Sequence, residues 1–270
     1  MQIILNQPYA LHEQGGSDHN EDYIYPEKGK ATPDNTFFLV CDGVGGLQKG
    51  EVASRIVCES FASFLNETDL ADFNPSLFEQ ALGYAYEQLA KESETERKTG
   101  TTLTFLCFHR HGALMAHIGD SRIYHLRKQG KTTGILYKSS DHSYVNELVR
   151  ANLITPEEAE IHSKKNVLTR AMQPHQKKLA QADIYETDDI QAGDYFFLCS
   201  DGVLESVDDS LLCEVIASDM DDESKINAIF EACQGHSRDN FSACLIPVAN
   251  ILPDKTKRKL PLIHRLLHVF

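Results

Sequence analysis

Short apolar runs that stop at an aspartate recur along this chain. Residues 36–41 (TFFLVC) end at Asp42-Gly43, and residues 195–199 (YFFLC) end at Ser200-Asp201-Gly202. Each run is too short and too uniformly apolar for an amphipathic helix. Each reads as a strand buried on both faces that delivers an acidic residue to a tight turn. Residues 102–108, 113–118 and 122–127 read as further strands, with Arg110-His111-Gly112 as the turn between the first two, and residues 243–248 read as a closing strand. Helical periodicity appears in two places. In residues 51–66, Val52, Ile56, Ser60 and Phe64 recur at spacing four with Ala53, Val57, Phe61 and Leu65 beside them. From about Pro75 to Glu96, Leu77, Ala81, Ala85 and Leu89 line one face, with Pro75 in the first turn.

Residues from about 140 to 170 are more polar and contain short helical pieces at 144–151 and 157–161. Thr155 is placed to cap the second, followed by Pro156 at the first helical position and Glu158 three residues on. Strands that come in runs and helices that come in pairs favour an α+β layered domain over a parallel βαβ sheet.

Composition narrows the function. The chain has 270 residues, 41% hydrophobic and 24% charged, enough for a single domain with a large core and no need of disulfide staples. Its net charge of −14 argues against nucleic acid as a partner. Seven cysteines without a C-x-x-C pair point to free thiols in a reducing cytoplasm rather than to a disulfide framework or a zinc site. The N-terminal residues do not read as a signal peptide, and no apolar run of roughly 18 residues predicts a transmembrane segment.

Five patterns set acidic residues at turns: Asn20-Glu21-Asp22, Asp42-Gly43-Val44-Gly45-Gly46, Gly119-Asp120-Ser121-Arg122, Ser200-Asp201-Gly202 and Asp239-Asn240. A single Asp-Gly is ordinarily a turn. An ordered set is different, because carboxylates at the ends of buried strands repel and lose hydration unless cations sit between them. Oxygen donors suit Mg²⁺, Mn²⁺ or Ca²⁺. The glycine at 43 would let a backbone carbonyl face such an ion.

The order N-E-D, D-G-x-G-G, G-T-T, G-D-S-R, D-H-S, L-T-R, S-D-G and D-N resembles the metal-dependent protein phosphatase family typified by protein phosphatase 2C, over residues 2–248. The stretch from Asp141-His142-Ser143 to Leu168-Thr169-Arg170-Ala171 resembles its bacterial branch. The resemblance implies a four-layer αββα sandwich, with metals at one end of the sheets. It implies two Mn²⁺ or Mg²⁺ ions, with a third in bacterial relatives. Asp42 would bridge two of them, the Gly43 carbonyl would bind one, and Asp201 and Asp239 would complete the other. Glu21 and Asp22 would act partly through water, and Asp120 with Asp201 would hold the third. Water acidified by the ions would attack phosphorus in line, with no phosphoenzyme. Cys41 and Cys199, though adjacent to these aspartates, read as small buried apolar residues, and His142 as structural.

The chain departs from that pattern at Ser17, where the family has an arginine that clamps the substrate phosphate. His19 and Arg122 are the candidate substitutes. The slot that holds histidine in animal enzymes is Val44, as in the bacterial branch.

The resemblance implies phosphoprotein substrates of serine/threonine kinases, a catalytic domain over residues 1–250, and a flap at about 140–170 that gates the site. Two competing functions remain open at this point: a catalytically weak phosphoprotein-binding module, and a small-molecule phosphate monoesterase on the same fold. The tail, residues 251–270, combines Lys255, Lys257, Arg258, Lys259 and Arg265 with an apolar face of Leu262, Ile263, Leu266, Leu267 and Phe270. It is expected to contact the parent domain, a partner or a membrane surface.

Overall fold

The computed structural model describes residues 1–45, 50–92 and 99–253. In chain order the first four strands are β1 (Gln2–Leu5), β2 (Tyr9–Glu13), β3 (Asp22–Tyr25) and β4 (Phe37–Val44), followed by helices α1 (Gly50–Asn66) and α2 (Pro75–Glu92). Then come β5 (Gly100–Thr101), β6 (Leu103–His109), β7 (Gly112–Ile118), β8 (Arg122–Gln129) and β9 (Thr132–Lys138), and the short helices α3 (Tyr144–Arg150) and α4 (Pro156–Glu160). The chain continues through β10 (Asp183–Thr187), β11 (Asp194–Cys199), the single turn α5 (Asp201–Leu204), α6 (Asp209–Ala217), α7 (Asp222–Cys233) and β12 (Phe241–Leu252).

The strands form two antiparallel sheets. One runs β1-β12-β11-β8-β9 with β2 also on β12, and the other runs β10-β7-β6-β4-β3 with β5 on β4. The period-2 alternation of side chains explains why the central strands read as unbroken apolar runs. In β4, Phe38 and Val40 face the core between the sheets, whereas Phe37, Leu39 and Cys41 face α1 and α2. In β11, Phe196 and Leu198 face the other sheet, whereas Tyr195, Phe197 and Cys199 face α6 and α7. Three apolar layers between four structural layers make the αββα sandwich that the family resemblance implied.

Every strand and helix expected from the sequence within the described residues is present, with no end shifted by more than four residues. The helix expected to reach Glu96 is described only to Glu92, and α4 has the expected capping box of Thr155 and Glu158. Two corrections bear on the site. The first run does not stop before a turn at Asp42: β4 continues to Val44, because Gly43 and Val44 pair with Thr101 and Gly100. Likewise Asp201 opens α5 rather than sitting in a bare turn. At the other end, β12 reaches Leu252, which pairs with Gln2, so two residues assigned to the tail belong to the sheet. The expected amphipathic segment beyond it lies outside the described residues.

Candidate metal centre

The strand ends collect the acidic residues. Asp22, the first residue of β3, pairs directly with Asp42 in β4. Asp120 follows β7, Asp201 follows β11, and Asp239 precedes β12. These termini lie at one end of the sandwich.

Backbone hydrogen bonds fix Asp42 from the neighbouring Gly100-Thr101-Thr102. Its N–H donates to Thr102 Oγ1 at 3.0 Å, and its carbonyl accepts from Thr102 N at 2.8 Å and Thr101 Oγ1 at 2.9 Å. Thr102 Oγ1 lies 2.7 Å from Ser121 Oγ, which ties this corner to the Asp120 loop. Asp22 is buried, and Ser200 Oγ donates to its Oδ2 at 2.7 Å. Ser200 thereby links the aspartate on one sheet to the strand end that carries Asp201 on the other.

Gly43 is required for contact rather than for a positive φ. Its N–H donates to Glu21 O at 3.1 Å, and a Cβ there would lie 2.3 Å from the Gly50 carbonyl carbon. This backbone approach brings the N-terminus of α1 against the site, with the Cβ position of Gly50 only 2.7 Å from Glu21 Oε2. Gly202 is equally confined, with a Cβ position 2.0 Å from Asn240 O.

Asn240 uses all of its polar capacity but one amide lone pair. Its Oδ1 accepts from Glu21 N at 2.8 Å, and its Nδ2 donates to Gln14 O and His19 O, each at 2.8 Å. The loop of residues 14–21 is thereby fastened to the start of β12. Ser17 Oγ donates to Asp239 Oδ1 at 3.2 Å.

The electrostatics are those of carboxyls crowded with too little positive charge. Burial, opposed by hydrogen bonds from Ser242 and Ser200, pushes Asp22 up to about 7. Burial and the charges of Asp22, Asp201, Asp120 and Asp239 hold Asp42 well above the carboxylate range. Burial, with Asp201 and Asp141 nearby, raises Asp120 to about 7, and burial with Asp239 raises Asp201 to about 6. Burial also raises Glu21. Asp201 Oδ1 is buried and has no hydrogen-bond partner. Crowded oxygens with an orphaned buried acceptor fit hard divalent cations, which would both satisfy the acceptor and remove the repulsion.

Among the expected phosphate ligands, Arg122 is already paired with other protein groups. Its fork is fully engaged with Asp141, Nε to Oδ1 and Nη2 to Oδ2 both at 2.8 Å, and Nη1 donates to Tyr124 Oη at 3.3 Å. These bonds tie Arg122, two residues after Asp120, to Asp141. His19 is exposed, and its backbone carbonyl accepts from Asn240 Nδ2 at 2.8 Å. The supporting roles of Thr101, Ser121, Ser200 and Asn240 escaped the sequence reading, because hydrogen bonds across 19 to 219 positions leave no local signal.

Comparison with known proteins agrees with this geometry. The family model described as Protein phosphatase 2C matches residues 11–243. The protein phosphatase PhpP of Streptococcus pneumoniae is 32% identical over 235 residues, covering 84% of this chain and 91% of that protein. The crystal structure of the Mycobacterium tuberculosis serine/threonine phosphatase PstP/Ppp superposes with a TM-score of 0.76 at 27% identity, covering 92% of this chain and 100% of that one. The catalytic domain of PstP in complex with 2 manganese ions gives a TM-score of 0.73 at 28% identity, with the same coverage. With that match spanning both sheets and all five acidic strand ends, the chain belongs to the protein phosphatase 2C family.

Proposed function

We propose that the chain hydrolyses phosphoserine and phosphothreonine in proteins, with Mn²⁺ or Mg²⁺ held by Glu21, Asp22, Asp42, the Gly43 carbonyl, Asp120, Asp201 and Asp239. The observation that carries this reading is the buried Asp201 oxygen left without a donor among mutually repelling carboxyls. When bound, the cations acidify water and offset charge on the phosphoryl oxygens. The protein's own part is positional. Thr101 and Thr102 hold Asp42 in register, Ser200 aims Asp22, and Asn240 holds the Glu21 backbone against β12.

Protein substrates are supported by a groove of about 580 Å³ beside Val44 and Gly45, lined by Arg170, Gln173, Gln176 and Lys178. It lies where the proposed flap at about 140–170 rejoins the body, so residues flanking the phosphate would meet both. The flap exposes Leu153, Ile161 and Val167, which suits contact with a polypeptide. The proposed catalytic domain, read from the sequence as residues 1–250, extends to Leu252 with β12, and the residues beyond it are proposed as a separate contact element. The seven free cysteines support a cytoplasmic location, and no described helix is long and apolar enough to cross a membrane.

The test is hydrolysis of para-nitrophenyl phosphate and a phosphothreonine peptide with and without Mn²⁺, alongside Asp201→Asn. Turnover without added metal in chelator, or unchanged turnover in the variant, would remove the proposal. Ser17 favours one second reading, a phosphoprotein-binding module. Peptide binding without hydrolysis would establish it. Hydrolysis confined to the small ester would instead mark a phosphate monoesterase.

A further inference from the structure

Arg238 immediately precedes Asp239 and is exposed. Its main chain is held on two sides. The Arg238 N–H donates to Glu205 Oε2 at 2.6 Å, and a Cβ on Gly16 would meet Arg238 O at 2.9 Å and Arg238 Cα at 3.1 Å. Its guanidinium is left over. Among the described residues Arg55, Arg110, Arg122, Arg127 and Arg170 each pair with an acidic side chain, whereas Arg150 and Arg238 form no ion pair.

Arg238 lines a hollow of about 730 Å³ between residues 13–16 and residues 234–238, the connection from α7 to β12. Phe230 and Phe241 give it an apolar side, with ring centroids 6.1 Å apart. The wall formed by residues 14–16 is stiffened by Gln14, whose Nε2 donates to Ser17 O at 2.9 Å and Asp18 O at 3.0 Å. The same loop carries Ser17, which donates to Asp239, so the hollow and the proposed metal centre share it. Glu13, the acidic residue on the lining, is already paired with Lys28. Glu205 spends an oxygen on the Arg238 backbone and lies outside the lining. The hollow is therefore net positive on a chain of net charge −14.

We infer that this hollow is a subsite for an acidic residue flanking the phosphorylated one in a protein substrate, and that Arg238 sets the preference. The inference rests on the reading of the chain as a phosphoprotein phosphatase. Adjacent Cα atoms lie about 3.8 Å apart, on the scale of one residue of extended peptide. A glutamate within two or three residues of the phosphorylated side chain thus comes within reach of the guanidinium beside Asp239. Its methylenes lie against Phe230 and its carboxylate meets the planar fork. Arg122 and Arg170 would first have to give up Asp141 and Asp183, whereas Arg238 has no pair to break.

Three phosphothreonine peptides test this, alike except that glutamate stands on the N-terminal side, on the C-terminal side, or is replaced throughout by glutamine. kcat/KM with Mn²⁺ would be measured for full-length wild type, Arg238→Gln, Arg238→Glu and Lys131→Gln. Lys131 is exposed in the turn after β8, a strand that starts beside Asp120 and runs away from it, so K131Q removes the same charge far from the site. For one glutamate peptide, the ratio of its kcat/KM to that of the glutamine peptide is expected to fall roughly three- to tenfold in R238Q, the scale of a partly exposed charge-assisted contact. R238E is expected to lower it further, and K131Q to keep the wild-type ratio. The difference should shrink as salt is added.

Wild-type ratios for both glutamate peptides in R238Q and R238E would overturn this inference alone. So would an equal fall in K131Q, which would trace the preference to bulk charge. Either Arg238 variant decides the matter if the other does not fold. Hydrolysis of para-nitrophenyl phosphate with no turnover of any peptide would remove the inference together with the protein-substrate reading.

Discussion

Asp22 and Asp42 stand directly opposite each other across the β3–β4 ladder, one buried and the other half-buried. Like charges in that register destabilise a sheet, and burial amplifies the effect. The surrounding bonds from Ser200, Thr101 and Thr102 hold the pair in place rather than letting it splay.

Asp42→Asn is therefore expected to act in opposite directions on activity and stability. Mn²⁺-dependent hydrolysis of para-nitrophenyl phosphate should fall roughly 100-fold or more, since several kcal/mol of transition-state stabilisation depend on the cations. In chelator the variant should melt at the same temperature as wild type or higher, because a repelling charge has gone. A large loss of melting temperature in chelator would show that Asp42 is a structural residue instead.

Ser17→Arg should restore a clamp on the substrate phosphate. Ser17 donates to Asp239 at the rim, so a longer side chain from this position has the site within reach. The KM for para-nitrophenyl phosphate is expected to fall roughly tenfold, the scale of one charge-assisted hydrogen bond. An unchanged or higher KM would mean that phosphate is bound from another direction.

Gly202→Ala places a methyl group 2.0 Å from Asn240 O, backbone that cannot swing away. The strand end must shift, moving Asp201 and loosening Asn240's grip on Glu21. A loss of roughly 2 kcal/mol or more in urea unfolding is expected, together with weaker Mn²⁺ binding. Wild-type values of both would show that the corner is softer than its packing implies.

Far from the site, Asp194 sets a pH dependence of stability. Burial works to raise its pKa, but Arg127, His125 and the Gln191 N–H together hold it down at about 2, against 3.8 ordinarily. A depressed carboxyl stabilises the fold fully above its unfolded pKa and loses that contribution as pH falls through the folded one. Wild type should thus lose about 2 kcal/mol between about pH 4 and pH 2 on this account. Asp194→Asn should be less stable at pH 6, with the gap to wild type narrowing over that window in urea melts. A gap independent of pH would exclude the carboxylate as its source.

The central strands were legible because both of their faces are covered, which turns alternation into an unbroken apolar run. Strands with one open side were not. β9 is largely exposed and β10 carries charge at Asp183 and Glu186, so neither has a recognisable pattern. β1, β2 and β3 are only four or five residues long. Helices α6 and α7 were passed over although Asp208 and Asp221 cap them, each accepting a backbone N–H three residues on. In the site, the aspartates could be picked out by their turn-like neighbours. Arg122 could not be assigned, because nothing local distinguishes an arginine waiting for phosphate from one already bound to Asp141, 19 positions away.

At three corners of the metal end main chain rests on main chain: Gly43 on Gly50, Gly202 on Asn240, and Gly15 on Asp239 with only 1.9 Å for a would-be Cβ. Any side chain larger than hydrogen would wedge these corners apart, so directed evolution should find almost no room to vary there. New substrate preferences would have to be written into the surrounding rim, at positions such as Ser17 and Lys178, while the centre stays as built.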